Sequence, residues 1–206
     1  RHAVVAQVPA TAIDKDTGAP IGAALVLVAP PSGAAGAQSV FVSPLTTVVA
    51  HTAADSGIPV AEATARVQAQ LALTVSPLAD FTAAGAAADL GLAARAVGQV
   101  MVKAAALAAA AQVPASQAAT LVREAATTQL PVLATALQAT AGSESTPSQR
   151  IDAAVGAVTQ QLNLTPETVR EVAQAIAAPS LAADAAGPFV SVRRFTYTDA
   201  NNYSYQ

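Results

Sequence analysis

Val42-Ser43-Pro44-Leu45-Thr46-Thr47-Val48-Val49-Ala50 is the stretch at which the chain changes its hydrophobic period. A serine followed directly by a proline is a helix start. The Ser43 hydroxyl can accept from the free N–H groups of the first turn, and Pro44 at the first helical position has no N–H to leave unsatisfied and a φ already near the helical value. Leu45, Val48 and Val49 then fall three and four residues apart on one face. The motif predicts helix initiation and needs nothing further.

Upstream of it the pattern is that of strands. Branched residues cluster in Val4 to Val8 and again in Ala24 to Val28, and between them Asp14-Lys15-Asp16-Thr17-Gly18 is polar and ends in glycine, as a tight turn requires. Pro30, Pro31, Ser32 and the Gly-Ala run to Ala37 read as a loop, and Val40 to Val42 as a last short strand.

Downstream, the Ser/Thr-Pro device recurs at Ser76-Pro77, Thr146-Pro147 and Thr165-Pro166, while Ile58-Pro59 and Val113-Pro114 supply proline starts without the hydroxyl. Apolar stripes follow: Val60, Val67 and Leu71; Ile151, Val155, Val158 and Leu162; Val169, Val172, Ala173 and Ile176. Between Ala86 and Ala111 the apolar residues Leu90, Leu92, Val97, Val100, Met101, Val102 and Leu107 point around most of the cylinder, which predicts a buried central helix; Gly91, Gly98 and the alanines there let neighbours approach closely. About seven helices are expected between Ser43 and Ala178. Gly142 to Thr146 reads as an exposed loop. Val42-Ser43-Pro44-Leu45 recurs as Val75-Ser76-Pro77-Leu78, but no third copy follows near residue 108, so these are two similar caps rather than an array.

Composition narrows the functional classes. Of 206 residues 56 are Ala and only 3% are aromatic, so the core is built from small side chains in closely approaching helices. Ten Lys plus Arg against 13 Asp plus Glu give a net charge of −3, which excludes a nucleic-acid binder that relies on a basic face. The absence of Cys excludes disulfides, thiolate metal sites and cysteine nucleophiles. Ala104 to Val122 is uncharged, yet Gln112, Pro114, Ser116 and Gln117 interrupt it; it reads as two helices meeting at a proline rather than a membrane span. The opening residues RHAVVAQVPA lack the charged start and apolar run of a signal peptide, which leaves the compartment undecided.

Asp14 to Gly22, DKDTGAPIG, then APPSGAAG and Val42 to Ala50, VSPLTTVVA, resemble a pattern found in large exported bacterial surface proteins and lipoproteins. There the closing strands of a carboxypeptidase-regulatory-like or Cna-B-like β-sandwich lead into an Ala-rich helical module opening with PLTT. The tail FTYTDANNYSY looks like the start of a following β-rich region. The resemblance implies an extracellular or cell-surface location and carries over no catalytic residue.

The residues with chemical potential have structural readings beside them. Asp14, Asp16 and Gly18 suggest half of a calcium loop, but an EF-hand needs Gly and Glu where Ala19 and Leu25 stand, so a hairpin turn is expected. Ser43, His51 and Asp55 can be drawn as a triad, although Ser43 is an N-cap and no nucleophile elbow is present; His51 and Asp55 are one turn apart on a helix surface. His2 has no metal-ligand spacing to His51. Asp80, Asp89, Glu124 and Asp152 would form a hydrolytic set only by converging in space, and Asp89 and Lys103 read as polar ends of the central helix. An isopeptide bond from Lys15 would need Asn163, Asn201 or Asn202. Arg193 and Arg194 among Phe195, Tyr197, Tyr203 and Tyr205 suggest a β-strand more than a base-stacking surface.

The fold class expected is mainly α: an Ala-rich bundle of about seven helices with short β-strands at both ends. The segments are 1–42, terminal strands of a sandwich-like unit; 43–188, the helical bundle; and 189–206, a β tail with a strand over Phe189 to Thr198 and a turn at Asn201-Asn202. The function expected is a non-enzymatic scaffold, spacer or assembly unit, with no catalytic, cofactor or metal site and with adjoining β modules or copies of itself as partners. The tail strand either returns to the N-terminal strands or pairs beyond the body, the second being favoured, which would make the chain self-assembling or filament-forming. The alternatives are a binding module with an apolar pocket among the helices and a carboxylate-dependent hydrolase or accessory domain. A cavity above about 300 Å³ lined by the central helix would favour ligand binding.

Overall fold

A computed structural model describes residues 2–13, 18, 20–31, 40–142, 144–162, 165–177, 197–198 and 204–205. The chain is mainly helical, with α1 (Pro44–Ser56), α2 (Val60–Gln70), α3 (Ala88–Ala110), α4 (Ala115–Thr128), α5 (Leu130–Ala139), α6 (Pro147–Gln161) and α7 (Pro166–Ala177). Three of these begin in the same way. Ser43 Oγ accepts from the Thr46 N–H (3.1 Å) while Thr46 Oγ1 accepts from the Ser43 N–H (2.8 Å). Thr146 and Gln149 exchange the same pair of bonds at α6, and Thr165 and Thr168 do so at α7. Each box satisfies two of the donors that a helix start leaves open.

No helix starts at Ser76-Pro77, contrary to the expectation from its likeness to Ser43-Pro44. The third residue after the cap is Ala79, which has no side-chain oxygen to close a box, and Thr74 to Ala87 is a series of turns and bends with short extended links. Asp80 instead draws the chain into a local turn, accepting from the Thr82 N–H (2.8 Å) and hydroxyl (2.6 Å). The seventh helix is α5. Pro131 lacks the N–H that would continue α4, and Gln129 (φ −101°, ψ 8°) ends one helix and precedes the next.

The central helix is α3, shorter by two residues at its start and one at its end than the apolar run suggested. It packs against α1, α4, α5, α6 and α7. Its buried residues cover somewhat more than half of the cylinder, opposite the exposed Arg95, Ala106 and Ala109, and half of them are alanine: Ala93, Ala94, Ala96, Ala104 and Ala108 beside Leu90, Leu92, Val97, Val100 and Met101. Small side chains at these positions allow five neighbours to converge. By length and composition α3 is also the one helix among the described residues apolar enough to cross a membrane. A smaller cluster joins Ala108 and Ala111 to Val169 of α7. The uncharged stretch from Ala104 divides between α3 and α4, as Pro114 predicts.

Several helices end without glycine. Ala72 (φ 51°) and Gln112 (φ 55°) take the left-handed conformation just beyond α2 and α3. There the Leu73 N–H reaches the Gln68 carbonyl and the Val113 N–H the Ala108 carbonyl, both at Schellman spacing. Arg150 of α6 serves the end of α5, donating to the Leu137 carbonyl (2.9 Å) and the Thr140 hydroxyl (3.4 Å).

The N-terminal strands β1 (Val4–Val8) and β2 (Leu25–Ala29) form an antiparallel pair in the register Val4↔Ala29 to Val8↔Leu25. An Ile13↔Pro20 bridge brackets the expected turn, whose residues 14–17 and 19 lie outside the described set. One face of the pair turns toward the helices: Leu25 belongs to the main core, with Val8 and Leu27 packed against it. Val40 to Val42 is not a strand. The edge of β2 that it would need is already occupied by α1. At the other end β3 (Tyr197–Thr198) and β4 (Ser204–Tyr205) pair with each other, Tyr197 opposite Tyr205. The remainder of the expected strand from Phe189, and the Asn201-Asn202 turn, lie outside the described residues.

Candidate functional site

The two threonines of PLTT do more than start a helix, which corrects the reading of that motif. The Val28 N–H donates to Thr47 Oγ1 (2.8 Å), and Thr46 Oγ1 lies 2.9 Å from the Val28 carbonyl, which accepts from it. Helix α1 thus supplies at Val28 the hydrogen bonds that another strand would have supplied. The pairing parity follows. Since Val28 turns its backbone groups away from β1, Val5↔Val28 and, two residues on, Gln7↔Val26 are non-hydrogen-bonded pairs. The N–H and C=O groups of Val5 and Gln7 therefore point to the outer edge of β1, and among the described residues no hydrogen bond closes that edge.

The outward face of the hairpin is apolar as well. Val5 and Val26 are 59% and 52% exposed, and Ile13 at the hairpin's far end is 61% exposed. With Val8, Leu25 and Leu27 on the inner side, this small sheet carries apolar residues on both faces, the pattern of a strand pair meant to be covered twice.

Between the inner side of the hairpin, α3 and the start of α6 lies a cleft of about 850 Å³. Val8, Leu25 and Leu27 form one wall; Ala94, Arg95, Gly98, Gln99 and Val102, all on one face of α3, form another; Pro147, Ser148 and Ile151 of α6 form a third. Phe81 and Thr82 border it, and Phe81 is set by an edge-to-face contact with Phe41 (centroids 5.3 Å apart, 80°). Pro44 also borders the cleft, and a Cβ on Gly98 would stand 3.2 Å from Pro44 Cγ, so glycine here permits α1 and α3 to approach. Arg95 is the only ionisable residue among the described residues of the lining.

The other candidates are distributed through the fold. Ser43 is buried and its hydroxyl is engaged at the N-cap. Asp55 pairs with Arg123 of α4 (3.3 Å). The pKa of His51 is lowered, first by burial and then by the positive Arg123, with Asp55 opposing in part. Asp89 accepts from the Thr74 N–H (3.0 Å) and hydroxyl (2.9 Å); burial resists its ionisation, but these bonds and the Leu90 N–H outweigh it and lower the pKa. The exposed Asp80 is lowered by its bonds from Thr82. Glu124 and Asp152 lie exposed on α4 and α6. Among the described residues no three His, Asp or Glu side chains gather as a metal site would require. Asp14, Lys15, Asp16, Asn163, Arg193, Arg194, Asn201 and Asn202 lie outside those residues.

Sequence reasoning passed over Thr46, Thr47, Phe81 and Arg95. Arg95 carried the one available signal, a cation within the apolar run of the central helix. The chain matches no protein-family model, no curated protein and no solved structure.

Proposed function

We propose that the chain is a non-enzymatic interaction module of an exported bacterial surface protein, an Ala-rich helical body that joins adjoining β modules, or copies of itself, through its N-terminal hairpin. The observation that carries this reading is the unequal pair of sheet edges: β2 is capped at Val28 by Thr46 and Thr47, whereas among the described residues no hydrogen bond reaches the outer edge of β1, which is uncharged from Ala3 to Pro9 and flanked by exposed Val5 and Val26. Uncharged open edges are sites of strand addition unless something protects them. The surface location rests on the resemblance of Asp14 to Ala50.

Light scattering over a concentration series tests it, with Gln7→Pro as the variant. Proline at this outward-facing position removes an edge donor without breaking a ladder bond. The wild type is expected to associate as concentration rises and the variant to remain monomeric with unchanged helical circular dichroism. A wild type that stays monomeric, with the Val5 and Gln7 amides protected from exchange, overturns the reading.

The cleft favours a second reading, ligand binding. Its volume exceeds the threshold of about 300 Å³ and falls within the range of small-molecule sites, and the central helix lines it with small side chains.

A further inference from the structure

We infer that the outer edge of β1 takes β1 of a second copy of this chain, antiparallel to it, with the two-fold axis passing through Val5. This rests on the strand-addition reading of the hairpin and narrows its partner to the chain itself, in one register. Val5 and Gln7 present their N–H and C=O groups along that edge, and Ala3, at the same parity just before the strand, extends the row. Among the described residues, none from Ala3 to Val8 makes a hydrogen bond beyond the β1–β2 ladder.

The edge is matched to its own copy. A two-fold axis sets the strand against an identical strand, so a charge on it would meet its like near the axis; Ala3 to Pro9 carries none. The guards that keep copies apart, an edge lysine, a bulge or a proline within the strand, are missing from Val4 to Val8. The β2 edge of a copy is occupied at Val28 by its Thr46 and Thr47, so β1 is the edge it offers along its length. Joining two copies here turns a pair of two-stranded sheets into one of four strands, the usual size of a stable sheet.

Pro9 sets the register. It has no N–H, and its carbonyl already accepts from the Ala12 N–H (2.9 Å). A dyad at Ala6 would place Ala3 opposite Pro9, and a dyad at Gln7 would place Val5 there; either leaves outward groups without a partner. A dyad at Val4 would carry Gln7 beyond the uncharged stretch, to face Arg1. With the dyad at Val5, Val5 faces Val5 and Ala3 faces Gln7. Each pair exchanges both bonds of a closely spaced antiparallel pair, so every outward group from Ala3 to Gln7 is satisfied. The side chains agree with this register. Val5 and Val28 are cross-strand neighbours, and the dyad sets Val28, Val5, Val5 and Val28 in one row across the joined sheet.

Analytical ultracentrifugation of the full 206-residue chain over a concentration series tests this. The wild type is expected to form dimers. Val5→Lys, at a position 59% exposed, should set lysine against lysine and weaken the dimer by more than about tenfold with unchanged helical circular dichroism, and Val5→Glu should do the same. An equimolar mixture of the two variants should dimerise again, because lysine then faces glutamate. The chain has no cysteine, so single substitutions read the register. Under mild oxidation Val5→Cys should cross-link, its Cα atoms being about 5.5 Å apart, whereas Gln7→Cys should not, its two copies standing more than about 10 Å apart. No rescue in the mixture, or cross-linking of Gln7→Cys in preference to Val5→Cys, overturns the inference. A wild type that stays monomeric while the Val5 and Gln7 amides exchange freely overturns the second copy as occupant and leaves the edge to a different β module. A monomer in which those amides are protected overturns the inference together with the strand-addition reading.

Discussion

Thr47→Val tests whether the helix start closes the sheet edge. The substitution is nearly isosteric at a buried position, so it removes a hydroxyl without leaving a cavity. Thr47 Oγ1 accepts from the Val28 N–H at 2.8 Å, and its own proton reaches the Ser43 carbonyl at 2.8 Å. With valine in place the Val28 N–H faces α1 with no acceptor, and a stranded buried donor costs about 1 to 3 kcal/mol. The Ser43 carbonyl loses less, since it still accepts from the Thr47 N–H. Thr46→Val should cost a similar amount through a different route, because the Ser43 N–H and the Val28 carbonyl lose a partner together. The two hydroxyls share the carbonyls of Val28 and Ser43, so the double variant should cost less than the sum. Urea unfolding followed by circular dichroism gives the free energies, and hydrogen exchange at the Val28 amide gives the mechanism. Thr47→Val should accelerate that amide, while Thr46→Val and Thr47→Ser should leave it protected. A Val28 amide unchanged in Thr47→Val, with stability within about 0.3 kcal/mol of wild type, would refute the assignment of an edge-closing role to this hydroxyl.

Two further outcomes follow from packing and titration. Ala108 is fully buried where α3 meets α7, so Ala108→Leu should overpack that contact and lower stability by about 1 to 3 kcal/mol, whereas the same change at exposed Ala109 should not; equal melting temperatures for both would contradict the packing. His51 has its pKa lowered by burial and by Arg123, so the unfolded chain binds the proton more readily near pH 6; stability from this group is full above the unfolded value of about 6.5 and declines as pH falls through it. Urea midpoints at pH 7.5 and 5.5 should show that decline in the wild type and a smaller one in His51→Gln, and a gain on acidification would reverse the argument.

The starts of α1, α6 and α7 were legible because three independent signals coincide there, a hydroxyl residue, a following proline and an apolar stripe, while α2 and α4 were read from a proline without the hydroxyl and α3 from its apolar run. Ser76-Pro77 shows the limit of that reading. It carries the first two signals, yet Ala79 cannot return a bond to the cap, and the difference between Ala79 and Thr46 at the third position separates the turn from the helix. Helix α5 was not read because it follows α4 with Gln129 alone between them, so no polar or glycine break marks its start before Pro131. Pairing of β1 with β2 followed from branched residues around a turn. What lay beyond the sequence was every contact between distant segments: no local pattern says that Thr46 and Thr47 meet Val28, or that Arg95 shares a cleft with Ile151.

The capping of β2 at Val28 bears on how far any self-association through the hairpin can go. A sheet with two open edges is a repeating unit: each added copy presents a fresh edge to the next, and growth continues into a fibre. Here the β2 edge is occupied at Val28 by threonine hydroxyls of the copy's own α1, so a copy that adds through β1 presents a second edge shortened to the groups of Val26. Edge-to-edge contact between two chains is then isologous, β1 against β1 about a two-fold axis, and it closes at two. The hairpin by itself is a coupling that terminates, and a filament of this protein would need a second, different contact.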